Sequence, residues 1–582
     1  MIATKTEAGR ARRWPARLKL PRLTDARWWI MGGTILFVFY LAGVPLLLLL
    51  WGSLKIGGPT EVSALTLENF REAYSDPRSY TLLLNSVVYA GGTCLFSLIL
   101  GTSLAFVIER TNTPLKSLFT AMALVPLIVP GILHTIAWIL LLSPRIGVVN
   151  RALMGLLGLA EAPFNIYSLG GMIWVEGLHL SPLVFVIMAA AFRSMDPALE
   201  EAALTSGAGV PATLRRVTLQ LARPAIASTM LIMFIRGLES FEVPALIGLD
   251  AGVRVFTSRI FLALKEFPPN YGLAAAFAVG LLLISVIGIL LYNRLTANRG
   301  QFATVTGKGF RPHLIDLGKW RYVTSLVFVL YFLFLVGLPL LILLWTSLNR
   351  FYTIPALDKL GGLTLDNYAF VMNMGRARTS LVNSLILSVS SATVVMLVTA
   401  VIAWITVKTR WPGRVALDVV TFLPITIPGL VLGVSLIWMY LVLPIPIYGT
   451  LWILLLAYIT RYMPYGIRAN SASMVQIHDE LEEAASVAGS SWLQTFRRVT
   501  LPLLKPGLIA GWIYVVVVSF RELSSSILLY SSKSIVLSIL IFDLWDGGQF
   551  PIVAALSVMM VLILVVLVAI AYRLGARFGV RE

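Results

Sequence analysis

Apolar stretches long enough to cross a bilayer, about 20 residues each, recur along the whole chain, for example over residues 30–50, 322–344 and 553–571. They are continuous rather than alternating in polarity, so they predict helices and not barrel strands, which are shorter and change face at every residue. Twelve such spans are expected, with the polar segments between them falling as loops on alternate sides.

The spans are not independent of one another. Gly43-Val44-Pro45-Leu46-Leu47-Leu48-Leu49-Leu50-Trp51 returns as Gly337-Leu338-Pro339-Leu340-Leu341-Ile342-Leu343-Leu344-Trp345. Leu67-Glu68-Asn69-Phe70 returns as Leu365-Asp366-Asn367-Tyr368, and Asn85-Ser86 as Asn383-Ser384. Pro126, Pro130 and Gly131 match Pro424, Pro428 and Gly429, and are read as helix breaks rather than binding groups. The expected organisation is a basic N-terminal segment 1–27, a first half 28–295, a polar basic linker 296–321 and a second half 322–582. Six spans per half return the chain to its starting side before the second copy begins. The fold class expected is therefore an all-α polytopic membrane protein of two parallel six-helix repeats.

Composition agrees: 58% of residues are hydrophobic and 13% charged, against roughly a quarter charged in soluble domains. The net charge of +18 raises nucleic acid as a partner, but the basic residues sit in short segments beside the spans, which is a membrane signature. Lys5, Arg10, Arg12, Arg13, Arg17, Lys19, Arg22 and Arg27 precede the first span. They place the N-terminus in the cytoplasm, with the linker (Arg299, Lys308, Arg311, Lys319, Arg321), the Lys408, Arg410 and Arg414 loop and the C-terminal Arg573, Arg577 and Arg581 on the same side. Loops over residues 55–80 and 349–380 are then extracytoplasmic. The first apolar run is too long for a secretory leader and is read as an uncleaved span. Cys94 is the only cysteine, and His134, His179, His313 and His478 are scattered, so neither a disulfide framework nor a metal site is expected.

Between the fourth and fifth spans of each half lies a polar stretch, residues 196–223 and 478–505, that repeats more closely than the spans do. Asp196-Pro197-Ala198-Leu199-Glu200-Glu201-Ala202-Ala203 leads to Gly207, and Asp479-Glu480-Leu481-Glu482-Glu483-Ala484-Ala485 leads to Gly489. Arg215 and Arg216 follow, matched by Arg497 and Arg498, then Pro224 and Pro506. The pattern predicts helix, turn, helix. Asp196 caps the first helix with Pro197 at its opening position, and acidic residues occupy the first turn, where the helix dipole favours them. Glycine supplies the left-handed stop, a second short helix carries the paired arginines, and the proline opens the next span. The alternative reading is an amphipathic loop lying on the membrane surface, which leaves the matched glutamates and glycines unexplained.

Glu201-Ala202-Ala203-x-x-x-Gly207 and Glu483-Ala484-Ala485-x-x-x-Gly489 resemble the EAA motif of permease subunits in binding-protein-dependent ABC importers. The resemblance covers nearly the whole chain and is nearest to fused permeases of the ferric iron uptake type, whose relatives carry thiamine, polyamines and phosphonates. It implies the type I importer permease fold, with Glu200, Glu201, Ala202, Ala203, Gly207, Glu482, Glu483, Ala484, Ala485 and Gly489 docking two copies of an ABC ATPase subunit. It also implies an extracellular or periplasmic substrate-binding protein as partner, the bacterial inner membrane as location, and ATP and Mg on the partner, with no cofactor in this chain. Gln220 departs from the family's proline, present as Pro502, and leaves the shape of the first loop's second helix open. Arg215, Arg216, Arg497 and Arg498 serve docking or anchor on lipid phosphates; both readings stand. Gly307-Lys308-Gly309 lacks the glycine spacing and following Ser or Thr of a phosphate-binding loop, so the chain is read as a transport subunit and not an enzyme.

Arg236, Glu239 and Glu242, assigned to the fifth span, and Arg521 and Glu522, assigned to the eleventh, are charges at membrane depth, expected to line the pathway or to pair with one another. Glu176 is similar but isolated. A secondary transporter of twelve spans is the rival reading, distinguished by the paired EAA loops; a channel or membrane enzyme would need a filter, metal or nucleophile motif not found here.

Overall fold

In the computed structural model, residues 26–61, 63–196, 198–296 and 314–577 are described. The basic segment 1–25, Pro197, Arg299, the Gly307-Lys308-Gly309 string, Arg311, His313 and Arg581 lie outside the described residues. Among the described residues the regular structure is helical, with two isolated backbone bridges, Lys55 to Leu65 and Thr111 to Ile315.

Among the described residues nine helices are long and apolar enough to cross a membrane, and up to eleven spans result if each of two bent helix pairs counts as one. In the first half they are Ala26–Ser53, Pro77–Arg110, the bent pair Lys116–Ile128 and Gly131–Leu142, Leu169–Ser194, Val210–Glu239 and Tyr271–Thr296. The second half repeats the order: Trp320–Ser347, Gly375–Lys408, the bent pair Arg414–Thr426 and Gly429–Val442, Leu451–Val475, Trp492–Phe520 and Phe550–Arg577. Leu451–Val475 occupies the tenth place but carries Arg461 and Arg468, and so falls below the apolarity of the others.

The prolines act where the sequence places them. Val129 and Ile427, each just before a proline, are extended, at ψ 124° and 110°, as the following ring requires. The chain then restarts as a helix at Gly131 or Gly429, bent by 99° and 108°. The matched polar pairs are paired clamps. Asn69 donates to the carbonyls of Ser53 and Lys55, closing the end of the first span, and Asn367 does the same to Ser347 and Asn349. Ser86 accepts the backbone N–H of Phe256 and Ser384 that of Leu537, so each seats the start of a short helix, Phe256–Lys265 or Leu537–Asp546.

The halves exchange their first spans. The first span packs on the bent pair of the second half, with Tyr40 Oη 2.9 Å from Tyr440 Oη and Trp51 edge-on to Trp438. The seventh span packs reciprocally on the bent pair of the first half, where Phe119 stacks on Phe328 at 4.9 Å and Trp138 on Phe334. Within each half, small residues bring backbones together. A Cβ at Gly101 would lie 2.7 Å from the Ser181 carbonyl oxygen, and one at Gly237 2.9 Å from the Ala90 Cα. Such contacts replace the hydrophobic drive that lipid cannot supply.

Candidate functional site

The two repeated loops follow Leu169–Ser194 and Leu451–Val475, at equivalent places in the two halves. In the first, Asp196 Oδ1 accepts the Ala198 N–H (2.9 Å) and opens the helix Ala198–Thr205. Gly207 ends it at φ +84°, while Ala208 N–H bonds the Ala203 carbonyl and Gly207 N–H the Leu204 carbonyl, a left-handed helix stop. The second loop repeats this over Asp479–Val487, with Gly489 at φ +81° and Ser490 N–H on the Ala485 carbonyl. Lys408 donates to Asp479 Oδ1 at 2.5 Å and holds that carboxyl below the usual carboxylate range.

The arginine-bearing segment departs from the sequence expectation. Val210–Thr213 passes through a wide π-type turn, Leu214–Thr218, directly into Leu219–Glu239; Trp492–Thr495 and Phe496–Thr500 lead likewise into Leu501–Phe520. The second helix is thus the extension of the span, and Pro224 and Pro506 lie inside helices rather than opening them. Gln220 and Pro502 sit at the same point of equivalent helices, so the departure from the family pattern leaves the backbone unchanged.

The paired glutamates separate. Glu200 is buried: its Oε1 accepts the Thr218 hydroxyl at 2.6 Å, and its Oε2 lies 3.5 Å from the guanidinium of buried Arg110 at the end of the second span. Glu482 accepts the Thr500 hydroxyl at 2.8 Å and the Trp404 indole N–H at 3.1 Å. These two carboxylates tie the loop helix back to its own half. Glu201, Ala202, Glu483 and Ala484 face outward, Ala203 and Ala485 are half-buried, and Arg215, Arg216, Arg497 and Arg498 are exposed. Around them stand uncovered apolar side chains: Leu199, Leu481, Leu493 and Val487, the last 88% exposed. The outer face of the second loop therefore sets a carboxylate among Leu481, Val487 and Leu493, and that of the first sets one near Leu199.

The charges at depth fall where the two halves meet. Arg236 lies 3.6 Å from Glu239 and hydrogen-bonds the Tyr465 hydroxyl of the second half. Arg521 donates to the carbonyls of Leu127 (2.7 Å) and Val129 (3.3 Å), at the break of the first half's bent pair. Glu522 pairs with Arg461 at 3.3 Å and accepts from Tyr462 at 2.7 Å. Glu242, Arg521 and Glu522 lie just beyond the helix ends at Glu239 and Phe520, not within the spans. Glu242 sits against Gly131, at the N-terminus of the restarted helix, where a carboxylate is favoured. Arg461, Tyr462 and Tyr465 were not singled out by sequence reasoning, although an arginine inside the tenth span was a usable signal.

Two repeated halves that exchange their first spans and carry matched loops define a two-copy polytopic membrane protein. Two stretches, residues 97–299 and 396–580, match the family described as the binding-protein-dependent transport system inner membrane component, and the chain belongs to that family. It is 27% identical over 84% of its length to the ferric transport system permease protein FbpB of Actinobacillus pleuropneumoniae, covering 70% of that protein. The Fe(3+)-transport system permease protein FbpB 2 of Haemophilus influenzae is 24% identical over 84% of this chain and 88% of its own. A putative 2-aminoethylphosphonate transport system permease protein, PhnV, of Salmonella paratyphi A is 29% identical over 44% of this chain and 94% of its own. A bacterial ABC transporter involved in the import of the acidic polysaccharide alginate matches 47% of this chain and 96% of its own at 20% identity, with a TM-score of 0.40.

Proposed function

We propose that the chain is the membrane permease of an ATP-driven importer for ferric iron, worked by alternating access and powered by two copies of a separate ATPase subunit. The reading rests above all on the two outward glutamates, Glu201 and Glu483, each on a short helix closed by a left-handed glycine and bordered by exposed leucine, Leu199 or Leu481. A helix of this size inserts into a groove of a partner, with its alanines permitting close approach. Both loops then face the cytoplasm, as do the termini, and a substrate-binding protein delivers cargo to the opposite face. Closure of the ATPase pair on ATP draws the loops together and rocks the halves about their exchanged first spans. Iron follows from the likeness to the ferric transport permeases over most of the chain; the shorter likeness to a phosphonate permease keeps phosphonate as the second cargo.

Replacing Glu201 and Glu483 together by lysine, or Gly207 and Gly489 together by valine, should abolish uptake and ATPase stimulation while the chain still inserts. Normal uptake in either double variant would sink the docking assignment. Iron accumulation measured in cells lacking this chain tests the cargo separately.

A further inference from the structure

The two loops are supported differently from beneath. In the second, Trp404 packs on Trp411 and Trp492 at ring separations of 5.5 and 5.0 Å, and Trp492 stacks on Phe496. Counting from the matched pairs Asn85 and Asn383, and Glu201 and Glu483, the first half has Phe106, Thr113, Val210 and Leu214 at these four places. Much of the aromatic bulk is missing. A helix resting on that gap would lose the close packing that fixes its position.

One apolar side chain at this crevice comes from outside the half. Ile315, in the segment that joins the two halves, lines the crevice between the loop helix and its arm together with Glu200, Leu204, Val210, Leu214 and Thr218. Its backbone is stapled to the turn after the second span: Ile315 N–H to the Arg110 carbonyl at 2.9 Å, and Asn112 N–H to the Ile315 carbonyl at 3.1 Å. The Asn112 side chain donates to Asp316 Oδ1 at 2.6 Å and accepts the Leu317 N–H at 3.0 Å. Gly318 N–H also bonds Asp316, and with Asn112 it holds that carboxyl below the usual carboxylate range. Thr113 then bonds Thr324, already within the seventh span. Arg110, the residue whose carbonyl takes the staple, is the one that holds Glu200.

We propose that residues 314–318 are a positioning element for the first docking helix, with Ile315 standing in for the tryptophans of the second loop and the Asn112–Asp316 staple keeping it there. The inference rests on the docking reading and adds to it that the first loop is braced by the segment that joins the two halves. A push on Ala198–Thr205 is then felt by the second span through Arg110 and by the seventh span through the staple. The two docking sites are structurally unequal.

The test uses the complete complex reconstituted with its ATPase subunit in lipid. Ile315→Asp and Asn112→Ala should each lower transport-coupled ATP hydrolysis by roughly fivefold or more, the range of an ordinary inter-site coupling. Ile315→Val should keep coupling, and Val210→Trp should restore it to Ile315→Ala. Unchanged coupling in inserted Ile315→Asp and Asn112→Ala chains overturns the proposal. So does a loss that neither Ile315→Val nor Val210→Trp avoids, because bulk in the crevice would then not be what matters. Should Ile315→Asp fail to insert, Asn112→Ala decides alone, since it cuts the staple without placing charge in the crevice. Failure of the docking reading shows separately, as retention of the ATPase by the Glu201 and Glu483 double variant.

Discussion

Glu200 and Glu201 are adjacent and chemically identical, yet one faces in and the other out. Helical geometry turns neighbouring side chains about 100° apart, and the inner one meets Arg110, whose side chain is 2% exposed. Removing one member of such a pair strands the other charge, so Glu200→Ala should destabilise the chain by about 3–5 kcal/mol. Glu200→Gln, which still accepts from Thr218, should lose less. Glu482 is only half-buried and its removal leaves a hydroxyl and an indole rather than a charge, so Glu482→Ala should lose less than Glu200→Ala, about 1.5–3 kcal/mol. Thermal unfolding of the three variants in one detergent gives the order; equal losses at 200 and 482 would remove the distinction. The sequence showed a repeated Glu-Glu pair but not this split, because the inner partners, Arg110 and Trp404, come from a distant span.

At the scale of the element, the loop helices were the most legible part of the chain because their signals are local: Asp196 at the cap, acidic first turns, and a glycine past the last turn. A Cβ at Gly207 or Gly489 would meet nothing within 4 Å, so substitution there is opposed by the backbone alone. Gly207→Ala should therefore cost about 1–2 kcal/mol, read as faster hydrogen exchange over residues 198–213, and Gly207→Asn less. A variant with unchanged exchange would show that the left-handed stop is not what ends the helix. The bent pairs were equally legible, since a proline restrains the residue before it wherever it occurs. The π-type turns at Leu214–Thr218 and Phe496–Thr500 were not. A wide turn has no residue signature, and the prolines at 224 and 506 suggested a helix start where a helix in fact continues.

Across the whole molecule, the two-fold repeat followed from counting, although Leu451–Val475 falls short of the apolar span expected in its place, and the way the halves engage did not follow from it. Arg521 of the second half donates to the Leu127 and Val129 carbonyls, at the break in the first half's bent pair. Arg521→Met should cost about 1–3 kcal/mol for the acceptors left unpaired. It should also increase thiol labelling of a Leu127→Cys reporter, with buried Cys94 as the internal control. A labelling rate equal to that of the reporter alone would show that the contact does not hold the halves together.

What the sequence determined by itself was everything carried by short-range chemistry: apolar length for the spans, proline for the breaks, caps and glycines for the loops, and repetition for the two halves. Only the tertiary structure decided the rest. It decided which glutamate of each pair faces outward, that Arg461 meets Glu522, that the first spans change places, and that Ile315 lines the crevice beneath the first loop. These depend on contacts between residues from 60 to 400 positions apart, whose distances are set by how complete helices pack and not by any neighbour in the chain.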